Sequence, residues 1–238
     1  MENNFCKHVA VIPDGNRRWA KKRGLLPWIG HQQGAQNTNK LLEKALEMDI
    51  YAFSFWCASW DNLTKRSEQE VSFLFKIFDE FFRKALDSKQ IHDNKVRVNF
   101  LGRWRELFPK NTQEVMEKII EKTKGYDRHF LTMMVAYNGT DEMEDCARKI
   151  AEQFKEGKIS KIDGGVIKQN LWSKDLPPVD LLIRTGSEGD PHNSAGFMMW
   201  DTAYSQLYFT EATFPDFGPE HFEKAINDSN ERERRKGA

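Results

Sequence analysis

Short apolar runs alternate with longer amphipathic segments along the whole chain, and this alternation constrains the fold more than any other feature of the sequence. The runs 8–12, 50–58, 96–101, 130–136 and 179–183 read as strands. Run 130–136 is apolar almost throughout, as a strand covered on both faces requires. Between the runs lie helical stripes. Thr38, Leu41, Leu42, Ala45 and Leu46 form one, and Val71, Leu74, Phe75, Phe78, Phe81, Phe82 and Ala85 another. Val115, Met116, Ile119 and Ile120 form a third, and Met143, Ala147, Ile150, Ala151 and Phe154 a fourth. This pattern predicts an α/β fold with a central, mainly parallel β-sheet flanked by helices on both faces. No repeat, low-complexity stretch or linker interrupts it, so the 238 residues read as a single domain. A polar tail from about residue 228 is expected to be mobile.

The stripe over 71–85 is wider than a core-facing helix needs, because Phe73 and Ile77 add apolar surface off its main face. Two readings stand: a buried core helix, or one side lining a cavity for a hydrocarbon chain. Spacing does not separate them.

Composition removes several classes of function. Lys+Arg and Asp+Glu both total 36, so a chain of zero net charge has no overall attraction for nucleic acid or an acidic membrane surface. Residues 1–7 are polar and the apolar stretch 9–12 is short, so no leader peptide is expected, and no run approaches a membrane span. The cysteines, Cys6, Cys57 and Cys146, are scattered and read as reduced thiols of a cytoplasmic protein. The six histidines lack metal-ligand spacing, so zinc is not expected.

Anion binding must therefore be local, and three segments suit it. In the first, a short strand ends in Asp14-Gly15-Asn16, and five basic residues follow between Arg17 and Arg23. In a parallel sheet, ligands bind beyond the carboxyl ends of strands, where helix N-termini present free N–H groups. Gly15 allows close backbone approach, and guanidinium groups match phosphate oxygens. A single carboxylate among cations suggests a hard metal bridging Asp14 to phosphate. Asp14 as a helix N-cap beside a solvated basic face is the other reading. In the second segment, Asp180 to Glu188, a strand runs into a glycine-bearing loop with Arg184. It is neither a P-loop nor a nucleophile elbow. The third is the charged end from Glu231 onward. Together they point to diphosphate chemistry without specifying it.

At this level the chain resembles the cis-prenyltransferases, which include undecaprenyl diphosphate synthases. The resemblance runs from about His8 to Gly237. The family pattern DGNxRWA is present over 14–20, followed by Gly30-His31. DLxIRTGGE is matched over 180–188 with Ser187 for a glycine. An AYxELYF-like stretch covers 203–209, PDF covers 215–217, and RxG ends at Gly237.

The resemblance implies a homodimeric α/β enzyme that uses Mg²⁺ to add isopentenyl diphosphate to an allylic diphosphate. The product, with a Z double bond, grows into a hydrophobic tunnel. It implies Asp14 as the Mg²⁺ ligand and Gly15, Asn16, Arg17, Arg18, Trp19 and His31 around the allylic diphosphate. Arg184, His192, Asn193 and Ser194, helped by Gly237, would hold the incoming diphosphate. Ser59, Trp60, Asp61, Asn62 and Arg66 match the segment that orients the reacting centre, with Asn62 and Arg66 assisting proton loss. Contact with a membrane would be peripheral at most, and no nucleic acid is involved.

The departures are specific. Pro27 stands for an arginine, His192 lies where the family has RxSN, Asp61 replaces a glutamate, and Leu63 a tryptophan. Thr140 replaces an arginine, and Gln206 occupies a glutamate position of the second metal site. Most lie around the incoming diphosphate, which raises a different prenyl acceptor as one alternative and a non-catalytic or regulatory subunit as another.

Overall fold

The computed structural model describes residues 6–232. Six strands form one sheet in the order β3-β4-β2-β1-β5-β6, every neighbouring pair parallel. The strands are β1 (His8–Ile12), β2 (Ala52–Ala58), β3 (Val96–Leu101), β4 (His129–Val135), β5 (Leu181–Arg184) and β6 (Gln206–Phe209). Those expected at 8–12 and 96–101 have these bounds. β2 begins two residues later than the apolar run, and β5 is shifted to 181–184. Asp180 causes that shift, because its carboxylate accepts from the N–H groups of Lys7 and His8 at the start of β1. β6 was not expected; four residues with a glutamine at the first carry little strand signal.

Alternate residues of β1 enter different cores, as the two-residue period of a strand requires. Val9 and Val11 join Phe53, Phe55, Val98, Leu131 and Ile183 on one face. That face is covered by α2 (Pro27–Glu47), α4 (Glu68–Leu86), α7 (Lys110–Thr123) and α10 (Pro219–Glu231). Ala10 and Ile12 join Trp56, Phe130, Leu182 and Phe197 on the other, and α8 (Gly139–Lys155) packs on α9 (Gly164–Asn170) nearby.

The stripe over 71–85 is in part a core face. Leu74 and Phe82 are buried in the core. Ile77, Phe78 and Phe81 instead line a small apolar space between α2 and α4. α4 is well started: the Ser67 hydroxyl accepts from the Glu70 N–H at 3.3 Å, and Glu68 and Glu70 complement the positive end of the helix. The tail expected from 228 is helical through Glu231, where Asp228 pairs with Lys224 at 2.6 Å. Gly237 lies outside the described residues. No helix among the described residues is long and apolar enough to cross a membrane.

β1 lies between β2 and β5, where the chain reverses its direction of progress across the sheet. In open parallel sheets the crevice beyond the strand ends at such a point is where ligands bind.

Candidate active site

A cleft of about 830 Å³ opens at that point, beyond the carboxyl ends of β1, β2 and β5. Asp14 sits two residues past the end of β1. Ile12 pairs with Arg184 in the sheet, so the tips of β1 and β5 bring Asp14 and Arg184 together. Arg184 donates from Nη2 to Asp14 Oδ2 at 3.0 Å, and Arg18 approaches Oδ1 at 2.9 Å. Arg184 also donates to the His192 carbonyl at 2.7 Å, which ties the loop after β5 to the cleft. Arg18 reaches further, to Glu188 at 2.8 Å and to the Gly186 carbonyl at 2.6 Å. Burial works against its charge, but Glu188 and then Asp14 more than offset it and raise Arg18 above the ordinary guanidinium value.

Asp14 does not cap α1 (Asn16–Lys22). The N-cap is Gly15, and the carboxylate accepts instead from the Gly15 N–H at 2.6 Å. Gly15 is held at φ 99°, and a Cβ there would come within 2.9 Å of the Thr213 side chain, so both backbone and packing demand glycine. Gly30 is the second obligatory glycine, since its Cβ would lie 2.0 Å from the Asn16 carbonyl. That close approach seats α2 against α1 and places His31 on the cleft wall.

Across the cleft from Asp14, four titratable side chains meet. Glu70, almost fully buried, presents Oε1 to Arg66 at 2.9 Å, to His31 at 3.3 Å and to Arg17 at 3.7 Å. The hydrogen bond from His31, followed by the Arg66 and Arg17 charges, holds Glu70 below the ordinary carboxylate range against the opposing effect of burial. Burial, reinforced by Arg66 and Arg17, lowers His31 despite Glu70. At neutral pH the cluster is an ionised carboxylate, a neutral imidazole and two guanidinium groups.

The segment after β2 forms a third wall. The Ser59 hydroxyl accepts from the Asn62 N–H at 2.9 Å, and the Asn62 side chain accepts from the Ser59 N–H at 3.4 Å, a reciprocal cap on α3 (Trp60–Thr64). Asp61 also lines the cleft but pairs outward with Lys65 at 2.9 Å.

Of the residues singled out in the sequence, Asp14, Gly15, Asn16, Arg17, Arg18, His31, Ser59, Asp61, Asn62, Arg66, Arg184 and Ser194 all line this one cleft. Four do not. Trp19 donates to Asp216 at 2.8 Å, Trp60 lies under the Arg103 guanidinium at 3.6 Å, His192 faces Asp190, and Asn193 donates to the Phe197 carbonyl. Gln206 is not brought to Asp14. It pairs with Leu181, which pairs with Val9, so it lies at the amino end of β6, about 10 Å down the sheet from Arg184. The structure gives no second metal position beside Asp14 from that residue.

Two residues were missed. Glu70 was readable only as an acid four residues after Arg66, which lies in the bend just before α4. Asn138 also lines the cleft, with a buried Oδ1 that lacks a partner; its place just past the end of β4 was the available signal. Arg184 and Asn16, which line the same space, also carry a buried atom without a partner, Nε and Oδ1 respectively.

The cleft leads into the apolar space between α2 and α4. Pro13, Asn16, His31, Cys57 and Leu74 belong to both. Burial raises the Cys57 thiol, so a neutral sulfhydryl sits at the junction. The space measures about 50 Å³, well short of the roughly 150 Å³ that takes a benzene. Among the described residues this space does not open into a through-going tunnel.

The undecaprenyl diphosphate synthase model of the prenyltransferase families matches residues 12–237. The chain belongs to this family. A tritrans,polycis-undecaprenyl-diphosphate synthase (geranylgeranyl-diphosphate specific) from Pyrococcus furiosus is 37% identical, over 97% of this chain and 86% of the relative. An isoprenyl transferase from Thermotoga maritima is also 37% identical, over 97% of this chain and 96% of its own length. Among solved structures, lavandulyl diphosphate synthase from Lavandula x intermedia, in complex with dimethylallyl diphosphate, superposes with a TM-score of 0.88. It is 28% identical and the match covers 98% of each chain. Within this prenyltransferase family, the junction of a cationic cleft with an apolar space is the feature that bears on substrate.

Proposed function

We propose that the protein condenses isopentenyl diphosphate with an allylic prenyl diphosphate, forming a Z-configured polyprenyl diphosphate and releasing pyrophosphate. The observation that carries this reading is a cleft whose arginines can hold diphosphates and which shares its wall with a small apolar space that a prenyl chain could enter once it widens. The allylic C–O bond breaks with its electron pair passing to the departing diphosphate. The double bond of isopentenyl diphosphate supplies the pair for the new C–C bond, and a proton then leaves to form the new double bond.

Negative charge grows on the leaving diphosphate, so cations fixed beside it lower the barrier. Arg17, Arg18 and His31 would hold the allylic diphosphate. Arg184 and Ser194 would hold the incoming one. Ser59 and Asn62, with Arg66, face the space between and would orient the isopentenyl group for proton loss.

Mg²⁺ belongs to this proposal, and the donor set fits it. Among the described residues no cluster of three or more His, Cys, Asp or Glu can cage a metal. Mg²⁺ is commonly held by one or two carboxylates together with substrate phosphates and water, and Asp14 supplies one. When bound, the ion would neutralise diphosphate charge.

A homodimer acting in the cytoplasm completes the reading. β6 is an edge strand, with Tyr204 85% and Leu207 46% exposed beside it, and a second copy of the chain would cover that surface. Retention of Asp14 with its paired arginines favours an enzyme over a scaffold, which has no use for them.

The test is incubation of purified protein with labelled isopentenyl diphosphate, farnesyl or geranylgeranyl diphosphate, and Mg²⁺. Label in an extractable prenyl product supports the proposal, and no incorporation with either primer overturns it.

A further inference from the structure

Residues 21–26, the end of α1 and the turn that joins it to α2, read Lys-Lys-Arg-Gly-Leu-Leu, and every one of them is exposed. Leu25 is 42% and Leu26 55% exposed. Single exposed leucines are ordinary; an adjacent pair beside three cations is a patterned surface. The turn is well fixed. Gly24 adopts φ 67°, and the Leu25 N–H donates to the Ala20 carbonyl at 2.9 Å.

Leu26 also occupies the N-cap of α2, where no side-chain hydrogen bond caps the helix. Serine, threonine, aspartate or asparagine would stabilise that position. An apolar side chain there, more exposed than Leu25, breaks a local rule, and such breaks concentrate where a protein does something besides fold.

Immediately behind the leucines, Trp28 stacks flat on Phe73 of α4, with ring centroids 4.5 Å apart and planes within 1°. Lys76 stands 5.3 Å over Phe73. Of the cations on the turn, Arg23 is engaged by Asp216 at 3.4 Å, whereas Lys21 and Lys22 have no ion pair among the described residues. An aromatic pair and two leucines, edged by lysines and lacking an acid within the turn, match in chemistry the boundary of an anionic bilayer: apolar groups below, headgroup charge beside them. The exposed apolar surface at β6 differs, since it borders an open strand edge and suits a second copy.

We propose that the 21–26 turn, backed by Trp28 and Phe73, is a docking lip for an anionic lipid surface. Leu25 lines the cleft as well as the outer surface, so the lip would set the cleft mouth against the layer in which prenyl chains partition. This deepens the transferase reading and rests on it for its purpose. The binding itself is measured without substrate, so the two can fail separately.

The probe is co-sedimentation of the purified full chain with phosphatidylcholine vesicles, with and without phosphatidylglycerol. The expected result is binding to the anionic vesicles alone, weakened by salt. Leu26→Ser with Lys22→Glu, two residues outside the cleft wall, should lower partitioning by roughly tenfold while condensation of short soluble substrates proceeds as before. Equal binding to both vesicle types, binding to neither, or unchanged partitioning of the double variant overturns the proposal. So does vesicle-independent sedimentation that the variant abolishes, which would assign the lip to contact between copies of the chain.

Discussion

Arg184 reaches Asp14 at 3.0 Å although 170 residues separate them in the chain. Arg18 holds the other carboxylate oxygen, so in the free protein the one acid at the strand tips is engaged by two of the cations that would serve substrate. Binding must exchange these partners, with diphosphate taking the guanidinium groups and the carboxylate turning to a cation. Asp14→Ala should lower turnover by at least about 10²–10³-fold, the scale seen when a single charge-stabilising group is lost. Its circular dichroism and melting temperature should stay close to those of the parent, because the Asp14 side chain is 38% exposed. Asp14→Asn should fare little better, and a chelator should silence the parent. Near-parent turnover of Asp14→Ala would remove the metal role.

Glu70 lends itself to a test of a different kind. Its single oxygen is shared by Arg66, His31 and Arg17, so it restrains three groups that would face diphosphate and cancels part of their charge. Glu70→Gln keeps shape and removes the charge. The expected outcome is a split: KM for the allylic diphosphate unchanged or lower, because the site is more cationic, and kcat down by about tenfold, as positioned groups lose their geometry. A rise in KM with kcat unchanged would show that the carboxylate helps ground-state binding only.

How much of this was legible beforehand depends on the range of the signal. β1 and β3 could be read to the residue because Lys7 and Pro13 bound one run and Lys95 and Gly102 the other. β6 could not, because Gln206 opens it and a four-residue edge strand needs little apolar surface. Asp14 and Arg184 were each recognisable as strand-tip residues, but their contact follows from β1 pairing with β5, which no local spacing encodes. Gln206 shows the converse. Its neighbours in sequence fit a metal-site motif, yet sheet register puts it at the far end of β6 from the cleft. Glu70 escaped because a glutamate four residues from an arginine is common on any helix, and its burial against His31 depends on how α2 and α4 meet.

Product length should respond to α4. Phe78 and Phe81 reach the apolar space, where Phe78 lies 5.9 Å from the Phe82 ring and 5.7 Å from that of Phe108. At about 50 Å³ the space must enlarge before a prenyl chain can extend. Phe78→Ala removes a half-buried ring from its wall and should shift the products toward longer chains in thin-layer or mass analysis. It should also cost stability, by less than the about 3–5 kcal/mol of a fully buried Phe→Ala change. A product distribution identical to the parent's would make Phe78 plain packing.

His8 predicts how stability varies with pH. It is fully buried; Nδ1 donates to the Pro177 carbonyl at 2.7 Å, which leaves Nε2 to accept from the Ser54 hydroxyl at 2.8 Å. Burial lowers its affinity for a proton below that of an ordinary imidazole, about 6.5, outweighing the Pro177 hydrogen bond and the nearby Asp201 and Asp180 charges. The folded state therefore binds fewer protons than the unfolded one just below pH 6.5, so the contribution is complete above that value and is lost as pH falls. Each unit by which the folded value is depressed corresponds to about 1.4 kcal/mol. Burial raises Glu142 above the ordinary carboxylate value, in part opposed by its hydrogen bonds from Tyr137 and Ser173, and that group acts in the opposite sense. Subtracting a His8→Gln variant isolates the histidine, since glutamine can keep one donor and one acceptor. Urea unfolding from about pH 7 down to about pH 5 should show the parent losing more stability than the variant. Parallel pH curves for the two proteins would mean that His8 takes up a proton in the fold at no cost.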